Sequence, residues 1–153
     1  MSDETNRHGT CVDIGGTGVL LTGRSGSGKS DLALRLIERP FRSCGQIRLV
    51  ADDQVLIARS GDALRASAPA QLQGRLEVRG VGIMEIETIA GTDLKLIVDL
   101  EAASAIERLP DHGNARVPLL GLQLPVLKLN PFELSAPEKL VLAVAGLHAL
   151  FST

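Results

Sequence analysis

Residues 23–30 form the pattern Gly-x-x-x-x-Gly-Lys-Ser, in which each residue type has a chemical use. Glycines allow backbone conformations that other residues avoid, so successive N–H groups can turn inward around phosphate oxygens. The lysine can reach the β- and γ-phosphates of a nucleotide, and the serine hydroxyl can bind Mg²⁺. The sequence therefore predicts a site for ATP and Mg²⁺ made by Gly23, Arg24, Ser25, Gly26, Ser27, Gly28, Lys29 and Ser30.

A second candidate is the acidic pair Asp52 and Asp53, which directly follows an apolar segment at residues 47–51. In enzymes with a phosphate-binding loop, such a carboxylate holds the magnesium ion, often through water, or accepts the proton of the attacking hydroxyl. One aspartate can serve each role. The alternative is a pair of solvated residues that open a turn, but the loop motif about twenty residues earlier favours a functional pair.

The segments on both sides of the loop fit a strand and a helix, which is the context that this motif requires. Residues 18–22 are a short apolar run after a Gly-Gly turn, a pattern typical of a buried strand. Residues 31–39 carry apolar side chains at 32, 33, 36 and 37 on one helical face, and Pro40 ends the predicted helix. The alternative, a glycine-rich turn that only connects two elements, explains these flanks less well.

The rest of the chain is predicted to be rich in strands. Ser135 is a plausible N-cap for a C-terminal helix at residues 136–150, with Glu138 completing a capping box. Apolar or alternating runs predict strands at residues 10–14, 47–51, 55–58, 63–66, 76–85, 94–100 and 117–129, the last of these irregular or at an edge because of its prolines. The predicted fold is an α/β domain with a strand-rich middle and a C-terminal helix.

Composition limits the function classes. The length of 153 residues predicts one domain over 1–153. Residues 1–7 are polar, and disorder is an alternative for this segment. A net charge of −2 without a basic block argues against nucleic acid as a partner, and 2% aromatic residues leave little to stack on a base. We find no signal peptide and no apolar run that could span a membrane, so we expect a cytoplasmic protein.

Three features together resemble the catalytic domain of HPr kinase/phosphorylase, the bacterial enzyme that uses ATP to phosphorylate a serine of the phosphocarrier protein HPr. They are the loop with its helix at residues 23–31, the acidic strand end at residues 50–55, and the segment Leu-Glu-Val-Arg-Gly-Val-Gly-Ile at residues 76–83. The last is the most specific, because phosphate loops are widespread. The resemblance runs from about His8 to about Leu129 and implies an HPr kinase-like or PEP carboxykinase-like phosphate-loop fold.

The resemblance implies catalytic roles for several residues. His8 matches an active-site histidine, Lys29 the phosphate-binding lysine, and Arg108 an arginine needed for transfer. Asp53 matches the carboxylate that takes the proton of the HPr serine and returns it in the reverse reaction. Without the resemblance, Arg108 would be interpreted as a solvated residue before a turn, and His8 as part of a disordered terminus.

The resemblance also implies a magnesium site. Ser30 matches the metal-binding hydroxyl and Glu77 the second metal ligand, while Asp52, beside Asp53, is a candidate on the metal side. Taken alone, Glu77 reads as an exposed strand residue near glycines.

The implied reaction is ATP-dependent phosphorylation of HPr, which regulates a phosphotransferase system. Residues 125–130 lack the Gly-Arg pair that the family uses in the reverse, phosphorylase reaction, few residues precede His8, and the family's further C-terminal helix is missing. The kinase reaction is therefore better supported than the phosphorylase reaction. This trimmed form resembles the short alphaproteobacterial form, for which HPr, other phosphotransfer-system proteins, a sensor kinase and further copies of the chain are candidate partners.

Two other functions fit the same residues. A kinase of a small metabolite would consume ATP with small alcohols or acids and leave HPr unmodified. A nucleotide-binding regulatory module would bind ATP without turnover and report its level to a partner. The missing Gly-Arg pair motivates the regulator, whereas the full set of Lys29, Asp53, Glu77 and Arg108 argues against it.

Overall fold

The computed structural model describes residues 3–113 and 115–152. Its helices are α1 (Lys29–Glu38), α2 (Ala136–Ala145) and α3 (Leu147–Phe151), and short 3-10 turns span Ala70–Leu72 and Ala103–Ala105. Its strands are β1 (Glu4–His8), β2 (Thr10–Ile14), β3 (Thr17–Thr22), β4 (Ile47–Ala51), β5 (Gln54–Ser60), β6 (Ala63–Ser67), β7 (Arg75–Val78), β8 (Gly82–Glu85), β9 (Thr92–Leu100), β10 (Arg116–Leu119) and β11 (Leu122–Leu129).

Nine of the strands found in the described residues form one large sheet. Seven follow the order β1-β5-β6-β9-β3-β2-β4, with β11 also beside β9 and β10 beside β11. β3 and β4 both run antiparallel to β2, so their carboxyl ends lie at the same edge of the sheet. The segments that follow them, the glycine-rich loop and the Asp52-Asp53 pair, therefore meet there. β7 and β8 form a separate antiparallel hairpin.

The central strands are buried on both faces. On β3, Val19 and Leu21 face one core with α1 and α2, whereas Leu20 faces a second core with residues of β5 and β6. Burial on both faces explains why the middle of β3 and residues 96–98 of β9 are continuous apolar runs, whereas the start of β9 alternates between buried and exposed residues. On α1, Leu32 and Leu36 are fully buried in the first core, as the helical spacing predicted.

The predicted fold class is confirmed, with corrections in detail. The polar terminus, for which the sequence leaves disorder as an alternative, contains strand β1 from Glu4 to His8, which pairs antiparallel with β5. The single C-terminal helix is two helices interrupted at Gly146, and the Ser135 side chain makes no capping hydrogen bond. The apolar segment at residues 76–85 is the β7–β8 hairpin, with its turn between Val78 and Gly82.

The described residues leave out Met1, Ser2, Asn114 and Thr153. Met1 and Ser2 are the first two positions of the segment for which disorder is an alternative. Among the helices described, none combines the length and the apolar character needed to cross a membrane.

Leu36→Ala is expected to lower the free energy of unfolding by about 2–5 kcal/mol, since it leaves a cavity between α1 and the sheet. Leu142→Ala is the matched control, because that α2 side chain is 68% exposed. The control should change stability by less than about 0.5 kcal/mol. Denaturant unfolding measures both variants, and equal effects would contradict the packing of α1 described above.

Candidate active site

The loop between β3 and α1 has the backbone that its glycines allow. Gly26 and Gly28 have φ of 82° and 99°, in the left-handed region that other residues rarely adopt. Gly28 directly precedes the first residue of α1, and no side chain caps that helix end. The backbone N–H groups of the first turn, together with the helix dipole, therefore favour an anion at this position.

Lys29 is held against the loop. Its Nζ donates hydrogen bonds to the carbonyl oxygens of Gly23 at 2.7 Å and Arg24 at 2.8 Å, and lies 3.5 Å from Ser27 Oγ. Burial lowers the pKa of Lys29, because desolvation disfavours the charged amine, while the nearby charges of Asp52 and Asp53 act in the opposite direction. The hydrogen-bond partners of this ammonium group are neutral oxygens. A phosphate group in the loop would give it an anionic partner.

The Asp52 carboxylate connects three elements. It is 8% exposed. Its Oδ1 accepts hydrogen bonds from Ser30 Oγ at 2.8 Å and Thr10 Oγ1 at 2.9 Å, and its Oδ2 accepts one from the Glu77 backbone N–H at 3.0 Å. The donors belong to α1, β2 and β7, so this side chain holds the loop helix, the sheet edge and the hairpin together.

Asp53, one residue further, is in the opposite environment. Its side chain is 65% exposed, and its Oδ1 lies 3.5 Å from Nδ1 of His8. The backbone turns sharply here, since Gln54 N donates to Asp52 O at 2.8 Å and Asp53 has φ of 69°. This combination matches the γ-turn with positive φ, which is rare and strained. The turn presents an exposed carboxylate, paired with His8, beside the loop.

A cleft of about 530 Å³ lies between the loop, the acidic turn and the β7–β8 hairpin. It brings together most of the predicted site residues, namely His8, Ser25, Gly26, Gly28, Lys29, Ser30, Asp52, Asp53 and Glu77. Gly23, Arg24 and Ser27 complete the loop through their contacts with Lys29. Arg108 is exposed after the 3-10 turn Ala103–Ala105 and is not one of the cleft-lining residues, so its role stays a prediction.

Sequence reasoning did not assign a role in the site to six other residues that line the cleft: Thr10, Asp31, Leu34, Val78, Arg79 and Phe132. A guanidinium nitrogen of Arg79 lies 3.7 Å from the position that a Cβ on Gly26 would take, which places its charge over the loop. In the described part of the chain, Arg79 has no carboxylate partner. Its position inside the Leu-Glu-Val-Arg-Gly-Val-Gly-Ile segment was the signal that could have identified it.

Comparison with known proteins identifies the family. The profile of the HPr Serine kinase C-terminal domain matches residues 1–142. The chain belongs to this family.

Two relatives show how far the likeness extends. The HPr kinase/phosphorylase of Alkaliphilus metalliredigens (strain QYMF) is 38% identical over 150 residues, covering 91% of this chain and 46% of the relative. The HPr kinase/phosphorylase of Burkholderia lata is 44% identical over 131 residues, covering 84% of this chain and 39% of the relative. The chain thus spans less than half the length of these curated relatives.

A solved structure supports the fold. The Hpr(Ser) kinase/phosphatase from Coxiella burnetii superposes with a TM-score of 0.79 and covers 95% of this chain and 97% of that chain. The sequence identity is 22%, so this likeness concerns the arrangement of the elements. The mixed sheet and the C-terminal helices are therefore a shared architecture.

The oxygen donors of the cleft fit Mg²⁺. Ser30 Oγ lies against the Asp52 carboxylate, and Glu77 lines the same cleft. Mg²⁺ prefers oxygen ligands and is commonly bound by one or two carboxylates together with water and substrate phosphates, rather than by an all-protein cage. Within residues 3–113 and 115–152 no group of three or more His, Cys, Asp or Glu side chains forms such a cage. These residues suit a metal that the nucleotide helps to bind.

The neighbouring aspartates provide a matched pair of variants for stability. Asp52→Asn is expected to lower the free energy of unfolding by about 1–3 kcal/mol, because the amide NH₂ faces hydrogen-bond donors in a buried site. Asp53→Asn should change stability by less than about 0.5 kcal/mol, since the side chain is exposed and asparagine tolerates positive φ. Thermal or denaturant unfolding distinguishes the two, and a larger loss for Asp53→Asn would refute this assignment.

Proposed function

We propose that the chain is an ATP-dependent kinase that phosphorylates a serine of the phosphocarrier protein HPr. The observation that carries the proposal is the position of Asp53, an exposed carboxylate in the same cleft as Lys29 and Ser30 of the phosphate loop. The curated relatives that match most of this chain are named HPr kinase/phosphorylase, which supports HPr as the acceptor.

The proposed reaction transfers the γ-phosphoryl group to the serine hydroxyl. The serine oxygen forms a bond to the γ-phosphorus, the bond from that phosphorus to the bridging oxygen breaks, and ADP leaves. Asp53 accepts the serine proton, and His8, 3.5 Å away, orients the carboxylate. Asp52 is buried and its oxygens accept three hydrogen bonds, so it positions Ser30 rather than taking the serine proton.

Cationic side chains would stabilise the charge on the phosphate oxygens. Lys29 exchanges the loop carbonyls for phosphate, and Arg79 over Gly26 adds a second positive charge. Arg108 is included on the resemblance alone, since it is exposed and does not line the cleft. Ser30, Glu77 and Asp52 would hold Mg²⁺, which supplies further neutralisation of the triphosphate when bound.

The proposal covers the forward reaction in the cytoplasm, with HPr as the protein partner. The printed names of the relatives include phosphorylase activity, which we propose as secondary here, because residues 125–130 lack the Gly-Arg pair. A sensor kinase, other phosphotransfer-system proteins or further copies of the chain are proposed as additional partners.

Transfer of label from γ-labelled ATP to HPr, with Mg²⁺ present, tests the function. Wild type should produce phosphoserine on HPr, and Asp53→Asn should slow transfer by about 10²–10⁴-fold, which is the usual contribution of a general base. Binding of ATP, measured by calorimetry, should survive in this variant because the loop is untouched. The two measurements separate loss of proton transfer from loss of the nucleotide.

If the wild-type protein binds ATP but transfers no label to HPr, the assignment as an HPr kinase is contradicted. Label appearing on small alcohols or acids instead would identify a metabolite kinase, and ATP binding without any acceptor would identify a regulatory module.

Arg79→Met should weaken binding of Mg²⁺–ATP by about tenfold or more, because a charge-assisted contact to phosphate is lost. Arg75→Met is the matched control, since Arg75 is exposed on the same hairpin but does not line the cleft. Calorimetric titration of both variants measures the difference. Equal affinities for ATP would show that Arg79 does not contact the phosphates.

A further inference from the structure

Phe132 is a feature of the cleft that the proposed reaction does not use. It is one of three phenylalanines in a chain without Trp or Tyr. Its side chain is 73% exposed, yet it lines the same cleft as the phosphate loop. Its Cε1 lies 3.5 Å from the position that a Cβ on Gly28 would take. The structure thus places an open aromatic face directly beside the last glycine of the loop.

The backbone around Phe132 is held in place although the ring is exposed. Its N–H donates to Asn130 Oδ1 at 3.0 Å, and the neighbouring Pro131 is buried against Gly28. The Arg35 guanidinium of α1 donates to the carbonyl oxygens of Pro131 and Glu133 on either side of the ring. A ring presented by a fixed backbone loses little conformational freedom when a ligand binds, which favours affinity.

The cleft is lined by both apolar and polar side chains. Leu34 lies one turn along α1 from Ser30, about 6 Å further along the helix axis. Leu34 and Val78 line the cleft together with Phe132. His8, Asp52 and Asp53 are polar or charged residues that line the same cleft. A nucleoside triphosphate needs both kinds of lining, since its phosphates are anionic and its base presents flat π faces.

We propose that Phe132 stacks on the base of the bound nucleoside triphosphate, with Leu34 and Val78 forming the rest of the base-binding surface. This inference rests on the proposed function, because it requires a triphosphate in the loop at residues 23–30. In this arrangement Phe132 contributes to nucleotide affinity and takes no part in phosphoryl transfer. Stacking is tolerant of base identity because every base has a π face.

Calorimetric titration with two Mg²⁺-loaded probes, AMP-PNP and inorganic tripolyphosphate, tests the inference on the full chain. Phe132→Ala should weaken AMP-PNP binding by about 5- to 100-fold, the usual effect of removing a stacking partner, and leave tripolyphosphate binding unchanged. Phe132→Leu should lie between wild type and alanine, since it keeps apolar contact without the π face. Leu134→Ala should bind both probes like wild type, because Leu134 is 87% exposed in the same segment but does not line the cleft.

Three results would overturn the inference and leave the proposed function intact. Unchanged AMP-PNP binding by Phe132→Ala would show that the base lies elsewhere. Equal weakening of both probes would show that the ring supports the loop instead. A higher KM for HPr with unchanged AMP-PNP affinity would assign the ring to the acceptor protein. Wild-type protein that binds neither probe would overturn the proposed function together with this inference.

Discussion

The buried carboxylate of Asp52 is the constraint on which the candidate site depends. A carboxylate at 8% exposure is stable only if hydrogen bonds replace its water, and here Thr10, Ser30 and the Glu77 backbone supply them. These donors belong to a strand, a helix and a hairpin that are distant in sequence. Because these hydrogen bonds offset the cost of burying the charge, they fix the position of α1, which follows the glycine-rich loop, relative to β2 and β7.

Two adjacent aspartates lie in opposite environments because the backbone turns sharply at Asp53. Asp52 is buried and accepts three hydrogen bonds, whereas Asp53 has φ of 69° and 65% of its side chain exposed. Strained backbone of this kind persists where the surrounding structure enforces it, and it is common at functional sites. Here the pairing of β1 with β5 places His8 beside Asp53, and Gly9 N donates to Asp53 O at 3.0 Å. A carboxylate free of strong partners remains available to accept a proton.

The loop, its strand and its helix were predictable because their signals are local: glycine spacing, an apolar run and a helical period. The role of Thr10 was not predictable, since its hydrogen bond to Asp52 spans 42 positions in the sequence. Strand β1 was missed because its residues are polar and mostly exposed, and its partner strand β5 rather than its own pattern makes it a strand. Low aromatic content suggested little for a base to stack on, and composition could not show that Phe132 lies beside the loop.

The most direct test of the account is a crystal structure of the chain with Mg²⁺ and AMP-PNP. The account predicts phosphates over the N–H groups of residues 26–30, Lys29 moved from the loop carbonyls to the phosphates, and Mg²⁺ beside Ser30. It also predicts the terminal phosphate on the Asp53 side of the cleft, with Asp52 still bonded to Thr10. A nucleotide bound outside this loop, or a terminal phosphate directed away from Asp53, would contradict it.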